Sequence, residues 1–544
     1  MRPHITRVLA PVAVLGAIAL ATTGLSTGAV AATSHAAAAK QPSSKTKAAA
    51  VHKGGNVTLA LSADIGCVDP QQVGNNDAIA IARQTVASLT WQNPKTGTIE
   101  PWLASKWKVN SDATSFTFDL RKGATFADGT PIDAAAVKAN LAGIQALGAK
   151  ASLGSSYLAG LSSVTVVDPQ TVQIDFSAPS AQFLQATSTF TLGLESTAST
   201  SLSVADRCAG KFVGSGPFAV KSYTPNATAV LSRVASYDWA PSSEQHKGAA
   251  YLSTVTYKIV PEAGTLTGAL QSGQVDASPD VQTTDLPTFA GSGFTEVNRA
   301  NPGVTYNLIP NETNPILQDK DVRVAIQKAI NRADVAKLLT KYDKPVSSVL
   351  SSSTPYYSNA SAQLKADPKA AKKLLQADGW TVGSDGIREK DGQKLSFVVQ
   401  YWQDSAEELQ LVQQQEKAIG VDLQLKQVTI AQWQTALATG TLPFQWGNLT
   451  RADPDVLRTI FSTKAQNANH LTTSPVDGVL TEQASTGATA ARQKLVDKAV
   501  KDLISSGNAN PVYQLSTTIV SSSKVHGLGF EGSTRLDLYN TWVK

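Results

Sequence analysis

The chain has 544 residues, of which 42% are hydrophobic and 16% are charged. This composition is typical of a folded protein with more than one core, so we expect two or three domains and exclude global disorder. A formal net charge of +5 is nearly neutral over this length, and it argues against a nucleic-acid partner, since such a partner requires a concentrated basic surface.

The first residues have the pattern of a secretory signal peptide. Arg2 and Arg7 form a basic start, residues 8–25 are almost wholly apolar, and residues 29–31 (Ala-Val-Ala) match the small-residue pattern that signal peptidase accepts. We therefore predict a signal peptide over residues 1–31 and an exported mature chain with 45 basic and 42 acidic residues. No later apolar run is long enough to predict a transmembrane helix. The alternative is an uncleaved membrane anchor.

The first half of the mature chain alternates strand and helix patterns. Residues 32–53 are rich in Ala, Ser and Lys and indicate a flexible spacer. Residues 56–61 and 115–121 alternate apolar and polar side chains, which predicts two strands. Asp133 is placed to cap a helix. Residues 164–176 contain two alternating runs around an Asp-Pro turn, which predicts a hairpin.

The second half is more helical. Residues 322–330 carry apolar side chains on one helical face, and Asp334 is expected to cap the helix that follows. Asp367 precedes a proline and a helix that we expect to stop at Gly379. A further helix is predicted over residues 405–419, with a strand after it. Strands and helices in this order predict an α/β fold with more than one sheet.

The chain contains only two cysteines, Cys67 and Cys208, and both lie in the exported part. In an oxidising compartment an isolated pair usually forms one disulfide, so we predict a Cys67–Cys208 bond. The alternative is two buried free thiols. Closing a loop of this length would constrain the unfolded chain by about 4–5 kcal/mol in the chain-entropy view.

Sequence motifs for catalysis and for metal or cofactor binding are missing. The histidines are scattered without ligand spacing, and the sequence contains no Gly-x-Ser-x-Gly, Walker loop or His-Glu-x-x-His. Residues 214–219 match Gly-x-Gly-x-x-Ala, yet a dinucleotide loop must open a helix, and the residues after Pro217 indicate a strand and a hairpin. We therefore predict a protein that is not an enzyme and that has no cofactor and no metal site.

Several short stretches, distributed in order over nearly the whole mature chain, carry a family resemblance. They are Pro101-Trp102-Leu103-Ala104 with Trp107, Phe116-x-Phe118-x-Leu120-Arg121-x-Gly123, Phe126-x-Asp128-Gly129-x-Pro131, Val213-Gly214-Ser215-Gly216-Pro217-Phe218, Asp321-Val322-Arg323-x-Ala325 with Ala329-Ile330-Asn331-Arg332, Asp367-Pro368 through Ala371, Leu374-Leu375 and Gly379-Trp380, Gly420-Val421, and Asp453-Pro454-Asp455. Together they resemble the oligopeptide/dipeptide/nickel class (family 5) of extracellular solute-binding proteins. Most of these stretches specify scaffold rather than ligand contacts.

The resemblance implies an α/β, two-lobed periplasmic-binding-protein-like (Venus flytrap) fold with an extra domain inserted in the first lobe. The implied boundaries are 54–100, 210–300 and 510–544 for the first lobe, 101–209 for the inserted domain, and 301–509 for the second lobe. On this mapping the predicted disulfide would join the start of the first lobe to the chain that returns from the insertion.

The resemblance also implies a function. A monomer would capture a peptide or peptide-like solute between its lobes and deliver it to ABC permease and ATPase subunits in the membrane. Ligand would shift an equilibrium between open and closed states. The alternatives within the fold are a binder of a nickel chelate or an oligosaccharide, and a secreted binding or chaperone protein without a transport role.

The sequence departs from the family pattern in two places. Typical Gram-positive members carry a lipobox cysteine at the cleavage site, whereas the first cysteine here is Cys67, so extracellular, cell-surface and periplasmic locations all stay open. Peptide binders of this class commonly place an aspartate before Asp-Pro-Asp to pair with the peptide ammonium, whereas this chain has Thr450 and Arg451.

A cation does not attract an ammonium group, so we expect Arg451 to hold a carboxylate or phosphate; a salt-bridged surface arginine is the alternative. The alternative for the aromatic cleft candidates is a position in the hydrophobic core. The alternative for Asp453 is a role as a helix cap. The candidate ligand-binding residues are Trp446, Asn448, Thr450, Arg451, Asp453, Tyr401 and Trp402.

Overall fold

The computed structural model describes residues 51–291, 293–403, 406–465, 467, 470–487 and 489–544. The predicted signal peptide and nearly all of the predicted spacer lie outside the described residues. Within the described part of the chain, no helix is both long enough and apolar enough to cross a membrane.

Twenty-six strands occur in the described residues. In chain order they are β1 (Asn56–Leu61), β2 (Thr90–Gln92), β3 (Ile99–Pro101), β4 (Ala104–Val109), β5 (Ser115–Leu120), β6 (Leu161–Asp168), β7 (Thr171–Phe176), β8 (Phe218–Thr224), β9 (Thr228–Arg233), β10 (Thr254–Ile259), β11 (Ala277–Ser278), β12 (Phe294–Ala300), β13 (Gly303–Pro310), β14 (Lys344–Pro345), β15 (Thr381–Val382), β16 (Arg388–Lys390), β17 (Gln393–Lys394), β18 (Ser396–Tyr401), β19 (Asp422–Gln427), β20 (Phe444–Thr450), β21 (Pro511–Gln514), β22 (Ser516–Ser522), β23 (Val525–His526), β24 (Gly529–Phe530), β25 (Leu536–Asp537) and β26 (Trp542–Val543).

Fifteen α-helices accompany these strands in the same described part. They are α1 (Asn76–Ala82), α2 (Ala134–Leu147), α3 (Ser152–Tyr157), α4 (Phe183–Ala186), α5 (Thr197–Thr200), α6 (Val204–Cys208), α7 (Ala263–Gln271), α8 (Lys320–Ala329), α9 (Arg332–Val335), α10 (Pro368–Ala377), α11 (Glu407–Lys417), α12 (Ile430–Ala438), α13 (Val456–Phe461), α14 (Asp477–Ala484) and α15 (Thr489–Ser505).

A seven-stranded mixed sheet forms the first part of the fold. Its strand order is β12-β22-β11-β1-β10-β9-β8. β1 runs parallel to β10 and to β11, whereas β12 and β22 are antiparallel. Val57, Leu59 and Leu61 of β1 are fully buried, which confirms the strand predicted over residues 56–61.

A four-stranded antiparallel sheet of order β4-β5-β7-β6 packs with α2. Phe116 and Phe118 of β5 are fully buried, as the alternation predicts. Asp133 caps α2, since its side chain accepts a hydrogen bond from the amide of Ala136 at 2.8 Å. β6 and β7 form the predicted hairpin around Asp168.

A four-stranded sheet of order β14-β21-β13-β20 is the centre of the second part. Every residue of β13 is buried. Leu308 belongs to the core that α8, α10 and α11 cover, whereas Ile309 belongs to a second core with α13, α14 and α15. The sheet is therefore covered on both faces, which explains the continuous burial of β13.

Helix boundaries in this part confirm most of the sequence predictions and correct one. Asp367 caps α10, accepting from the amide of Ala370 at 2.9 Å, and Gly379 follows the helix with a φ of +90°. Asp334 does not cap α9, because Asn331 accepts from the Ala333 amide in that role. Asp334 lies inside the helix and accepts from the Asn331 side chain at 2.6 Å.

The segment around Gly214 and Gly216 leads into the β8–β9 hairpin and opens no helix, in agreement with the rejected dinucleotide motif. A Cβ at Gly214 would lie 2.0 Å from the carbonyl oxygen of Thr85, and one at Gly216 would lie 2.5 Å from the Val86 amide. These glycines therefore serve close backbone packing.

The disulfide prediction is confirmed: Cys67 is bonded to Cys208. Beside this bond the fully buried Arg207 contacts Asp69 at 2.9 Å and Glu195 at 3.3 Å. A buried cation with two carboxylates holds the same two chain segments together that the disulfide joins covalently.

One hydrophobic cluster runs without interruption from the seven-stranded sheet into the β4–β7 sheet, and it includes Val57, Phe116 and Tyr257. The predicted inserted domain therefore shares its core with the rest of the first part. The predicted boundaries 54–100, 101–209, 210–300, 301–509 and 510–544 stay a prediction.

Two chain crossings connect the seven-stranded sheet to the β13 sheet. β12 continues into β13 through Asn301 and Pro302, and β21 returns to β22 through Leu515. The Asn301 amide donates to the Leu515 carbonyl at 3.0 Å, and the Thr517 hydroxyl donates to the Asn301 side chain at 2.7 Å. The crossings are thus bonded to each other and form a narrow junction between the two parts.

Candidate functional site

The C-terminal end of β20 is held directly against the junction. Gly303 pairs with Thr450, and the Arg451 amide donates to the Pro302 carbonyl at 3.1 Å. Gly303 has a φ of +108°, and a Cβ there would lie 2.2 Å from the carbonyl oxygen of Leu449. Only glycine allows this approach, so this one residue places Thr450 and Arg451 beside the crossings.

A cavity of about 250 Å³ lies at this junction. It is bounded by the start of α1, the segment after β11, β22 and the β24–β25 hairpin on the seven-stranded side, and by Thr340 and Asp343 before β14. β1 and β11 are parallel neighbours, so the residues after them emerge at one sheet edge. This is the edge at which open α/β sheets bind ligands.

Two carboxylates share one partner at this edge. The Ser62 hydroxyl donates to Asp77 Oδ2 at 3.1 Å, and the Ser62 amide donates to Asp280 Oδ2 at 2.8 Å. The Ala63 amide also donates to Asp77 Oδ2, at 2.7 Å. Burial and the neighbouring Asp77 charge raise the pKa of Asp280 to about 7, against the lowering effect of Ser62. Burial likewise raises the pKa of Asp77.

Arg535 is the cation of the same cavity. Its guanidinium donates to the Asn76 side chain, its buried Nε has no hydrogen-bond partner, and no carboxylate in the described part of the chain lies within 4 Å of it. Burial lowers its pKa to about 10; the Glu531 charge opposes this shift and the Arg451 charge adds to it.

A second, larger cavity of about 750 Å³ lies between the β4–β7 sheet and the α15 side of the second part. Trp107, Leu184 and Tyr356 give it apolar walls. The two sides touch near it, because the Ala181 amide donates to the Ala484 carbonyl at 2.8 Å.

The three predicted aromatic residues occupy different environments. Trp446 is 2% exposed and packs against Tyr306 and Tyr513 with ring centroids 5.0 and 6.4 Å apart. Tyr401 is half-buried against the same core, whereas Trp402 is 40% exposed. None of them lines either cavity.

The four predicted polar residues follow one another along β20 and its exit. Asn448 and Thr450 are half-buried, 3.5 Å apart at their side chains. Arg451 is half-buried; it donates to the Thr450 carbonyl at 2.8 Å and has no ion pair in the described residues. Asp453 lines the larger cavity and binds Arg492 through both carboxylate oxygens. Ligand contact by the seven candidates stays a prediction.

Sequence reasoning missed the charged groups of the smaller cavity, Asp77, Asp280 and Arg535. They are separated by more than 200 residues along the chain and belong to no motif. The one available signal was that Ser62 follows the apolar alternation of residues 56–61, which is how a residue at the carboxyl edge of a sheet is arranged.

Among the described residues, no group of three or more His, Cys, Asp or Glu side chains is arranged to hold a metal ion.

Residues 98–469 match the sequence model of a protein family, described as bacterial extracellular solute-binding proteins, family 5 Middle. This match covers more than half of the chain. The chain belongs to this family. The predicted family is thereby confirmed, and a family 5 chain is a binding protein rather than an enzyme.

Two curated relatives support the family 5 assignment. The oligopeptide-binding protein AppA of Bacillus subtilis is 29% identical over 244 residues, which are 43% of this chain and 42% of AppA. The glutathione-binding protein GsiB of Escherichia coli strain 536 is 25% identical over 345 residues, 60% of this chain and 62% of GsiB. The matches thus span less than two thirds of either relative.

A solved structure supports the family 5 fold. NikA from Brucella suis, in complex with Fe(III)-EDTA, superposes with a TM-score of 0.77 at 21% identity, covering 90% of this chain and all of NikA. The predicted two-lobed α/β fold is confirmed. The first lobe is built on the seven-stranded sheet, and the second lobe on the β13 sheet and its helices.

Proposed function

We propose that the chain is the substrate-binding protein of an ABC importer and captures a peptide or peptide-like solute between its two lobes. The observation that carries this proposal is the 250 Å³ cavity at the junction, which both lobes line and which contains an arginine without a carboxylate partner. The volume lies just below the range of typical small-ligand pockets, which favours a short ligand.

The two arginines favour a ligand with a carboxylate. Neither Arg451 nor Arg535 forms an ion pair with a described residue. The Glu531 carboxylate, whose Oε1 accepts from the Ser533 and Arg535 amides at 3.0 Å, is the nearby negative charge that raises the pKa of Arg535 against the lowering effect of burial. A ligand carboxylate would supply the Arg535 guanidinium with a counter-charge and use the fork geometry of arginine. Arg451 does not line this cavity; it lies beside the hinge, at the exit of β20.

A membrane partner would distinguish the ligand-bound protein from the ligand-free protein by the relative arrangement of the two lobes. The narrow double crossing at Asn301 and Leu515 is a suitable hinge, and a ligand that bridges the lobes would shift the equilibrium towards the closed state. Permease and ATPase subunits would recognise that state. AppA and GsiB, the relatives above, carry names of peptide and glutathione binders, which supports this solute class.

The test is isothermal titration calorimetry on the mature protein, stripped of bound ligand under oxidising conditions. The probes are Ala-Ala, Ala-Ala-Ala and glutathione, each free and C-terminally amidated, together with nickel plus histidine and cello-oligosaccharides. We expect the free peptides to bind and amidation to weaken binding at least tenfold. Arg451→Gln and Arg535→Gln should remove the effect of amidation.

Arg233→Gln is the matched control, because its guanidinium donates to backbone carbonyls of residues 250 and 251, away from the cavity. This variant should bind like the original protein. Binding of only sugars or only the nickel chelate would overturn the peptide assignment. Equal affinity for free and amidated peptides would overturn the role of the arginines.

A further inference from the structure

We propose that the larger cavity, of about 750 Å³, binds an uncharged apolar group of the solute between the β4–β7 sheet and the second lobe. The inference deepens the proposed function and rests on it: the carboxylate of the solute would lie at Arg535 in the smaller cavity, and a side chain would extend into the larger one. The solute class would be a short peptide, or a peptide-like compound, with one bulky apolar side chain.

The walls of the larger cavity are apolar on both sides. Trp107 and Val109 of β4 and Leu184 of α4 lie on one side, and Tyr356 lies on the other. All four are half-buried, so part of each side chain stays accessible. The volume of the cavity is within the range of small-ligand pockets. An apolar group that enters it removes apolar surface from water on both walls, which favours binding.

The charges of the larger cavity neutralise each other. Among the described residues that line it, the charged ones are Asp453 and Arg492. Arg492 donates to both carboxylate oxygens of Asp453, at 2.9 and 2.6 Å, and its guanidinium lies 5.2 Å from the centre of the Tyr356 ring. Both charges are thus used within the protein, so the cavity suits an uncharged group rather than an ion.

A thin wall separates the two cavities. Thr534 lines the smaller cavity, and Gln92 lines the larger one. Gly532, two residues before Thr534, lies directly against Gln92, because a Cβ there would be 2.8 Å from the Gln92 side chain. Gln92 in turn donates to the Ala452 carbonyl at 3.4 Å, at the exit of β20. One small molecule can therefore contact both cavities across a single side chain.

The occupant would connect the β4–β7 sheet to the second lobe. The two sides already touch, since the Ala181 amide donates to the Ala484 carbonyl at 2.8 Å. A side chain between Trp107 and Tyr356 would add apolar contacts to both sides and stabilise the arrangement in which they lie close together. The β4–β7 sheet would thus take part in ligand capture directly.

The experiment measures the binding of Ala-Ala-Ala, Phe-Ala-Ala, Ala-Phe-Ala and Ala-Ala-Phe by calorimetry at several temperatures. The four peptides carry the same charges, so differences between them report the added side chain. For the original protein we expect one of the Phe peptides to bind about tenfold more tightly than Ala-Ala-Ala, or better. Its heat-capacity change of binding should also be more negative, because more apolar surface is buried.

Ala490→Trp fills the larger cavity from the exposed start of α15, where Ala490 lines it. This variant should bind Ala-Ala-Ala like the original protein and lose both the Phe preference and the extra heat-capacity change. Ala491→Trp is the matched control, because Ala491 is the next residue of the same helix, is exposed and lines neither cavity. It should keep the preference. Leu184→Asn, on the opposite wall, should reduce the preference as well, with circular dichroism to verify the fold of each variant.

The outcomes separate the two proposals. If the peptides bind and no Phe peptide is favoured by the original protein, the apolar site is wrong and the peptide function stands. If Ala490→Trp keeps the same preference as Ala491→Trp, the side chain binds elsewhere and the inference is likewise wrong. If none of the peptides binds, the peptide function fails and this inference fails with it.

Discussion

Both terminal nitrogens of Arg492 donate hydrogen bonds to the Asp453 carboxylate, at 2.9 and 2.6 Å, and the two side chains are only 5% and 8% exposed. This bidentate pair ties α15 to the Asp-Pro-Asp turn that follows β20. It therefore fixes the exit of the strand that carries Thr450 and Arg451 to the body of the second lobe.

Replacing Arg492 with leucine should destabilise the chain strongly. The substitution leaves the Asp453 carboxylate buried without its counter-ion, and breaking a buried pair on one side costs about 3–5 kcal/mol. Urea unfolding followed by tryptophan fluorescence measures the loss. Lys498→Ala on the same helix is the control: its pair with Asp502 is exposed, so the loss should stay below about 0.5 kcal/mol. Similar losses in both variants would contradict the role of the buried pair.

Gly303→Ala should lower the free energy of unfolding by more than about 3 kcal/mol and weaken ligand binding. Alanine would be strained at a φ of +108°, and its Cβ would meet the Leu449 carbonyl oxygen at 2.2 Å and the Arg451 amide at 2.6 Å. Gly123→Ala is the control, since Gly123 has a φ of +83° with no atom within 4 Å of a new Cβ; strain alone should cost about 1–2 kcal/mol. Equal thermal destabilisation of the two variants would argue against the close approach at the hinge.

Removing the disulfide should destabilise the chain by about 2–5 kcal/mol. The bond joins residues that are 141 positions apart, so it restricts a large loop of the unfolded chain. The measurement compares thermal unfolding of the original protein with that of a Cys67→Ser, Cys208→Ser double variant. A thiol assay on the denatured, unreduced protein checks the pairing, and two titratable thiols there would refute it.

The stability of the ligand-free protein should fall as the pH rises from about 4 to about 7. Asp280 has a pKa raised from 3.8 to about 7 in the folded state, so over this range the folded chain keeps a proton that the unfolded chain has released. The pKa of Glu244 is likewise raised to about 7, by burial and by the nearby Asp537 charge, and it adds to the same trend.

Asp280→Asn isolates the first of these contributions. The rise of the Asp280 pKa corresponds to at most about 4 kcal/mol in the free energy of unfolding. Solvent screening of this half-buried group reduces that figure. We therefore expect Asp280→Asn to have a free energy of unfolding about 1–3 kcal/mol higher than the original protein at pH 8. Near pH 4 the variant and the original protein should have equal stability. Urea unfolding across this pH range measures the difference, and a gain that is independent of pH would contradict the titration of Asp280.

Local sequence patterns predicted individual elements well. The strand over residues 56–61, the capped helix after Asp133 and the hairpin around Asp168 all form as predicted, because alternation, caps and turns act over a few neighbouring residues. The prediction that Asp334 caps a helix was wrong because another residue nearby has the same capping chemistry. Asn331 stands three residues earlier, and its side chain accepts the hydrogen bond from the Ala333 amide.

The candidate site was less accessible to sequence reasoning. Asn448, Thr450 and Arg451 were singled out as one stretch, and the structure does place this stretch at the hinge through its contact with Gly303. Trp446 was singled out for its aromatic ring, yet it packs in the core. Aromatic character predicts burial in either a cleft or a core, and it does not distinguish the two.

By itself the sequence determined the strands, helices and caps, the family and the single possible disulfide. The elements and the family motifs depend on neighbouring residues, and the disulfide follows from the presence of only two cysteines. Only the tertiary structure decided which charges meet at the junction. Asp77, Asp280 and Arg535 come together because β1 and β11 are parallel neighbours whose ends share one edge. No periodicity in a chain specifies which distant strands pair, since that choice depends on the burial that the whole fold achieves.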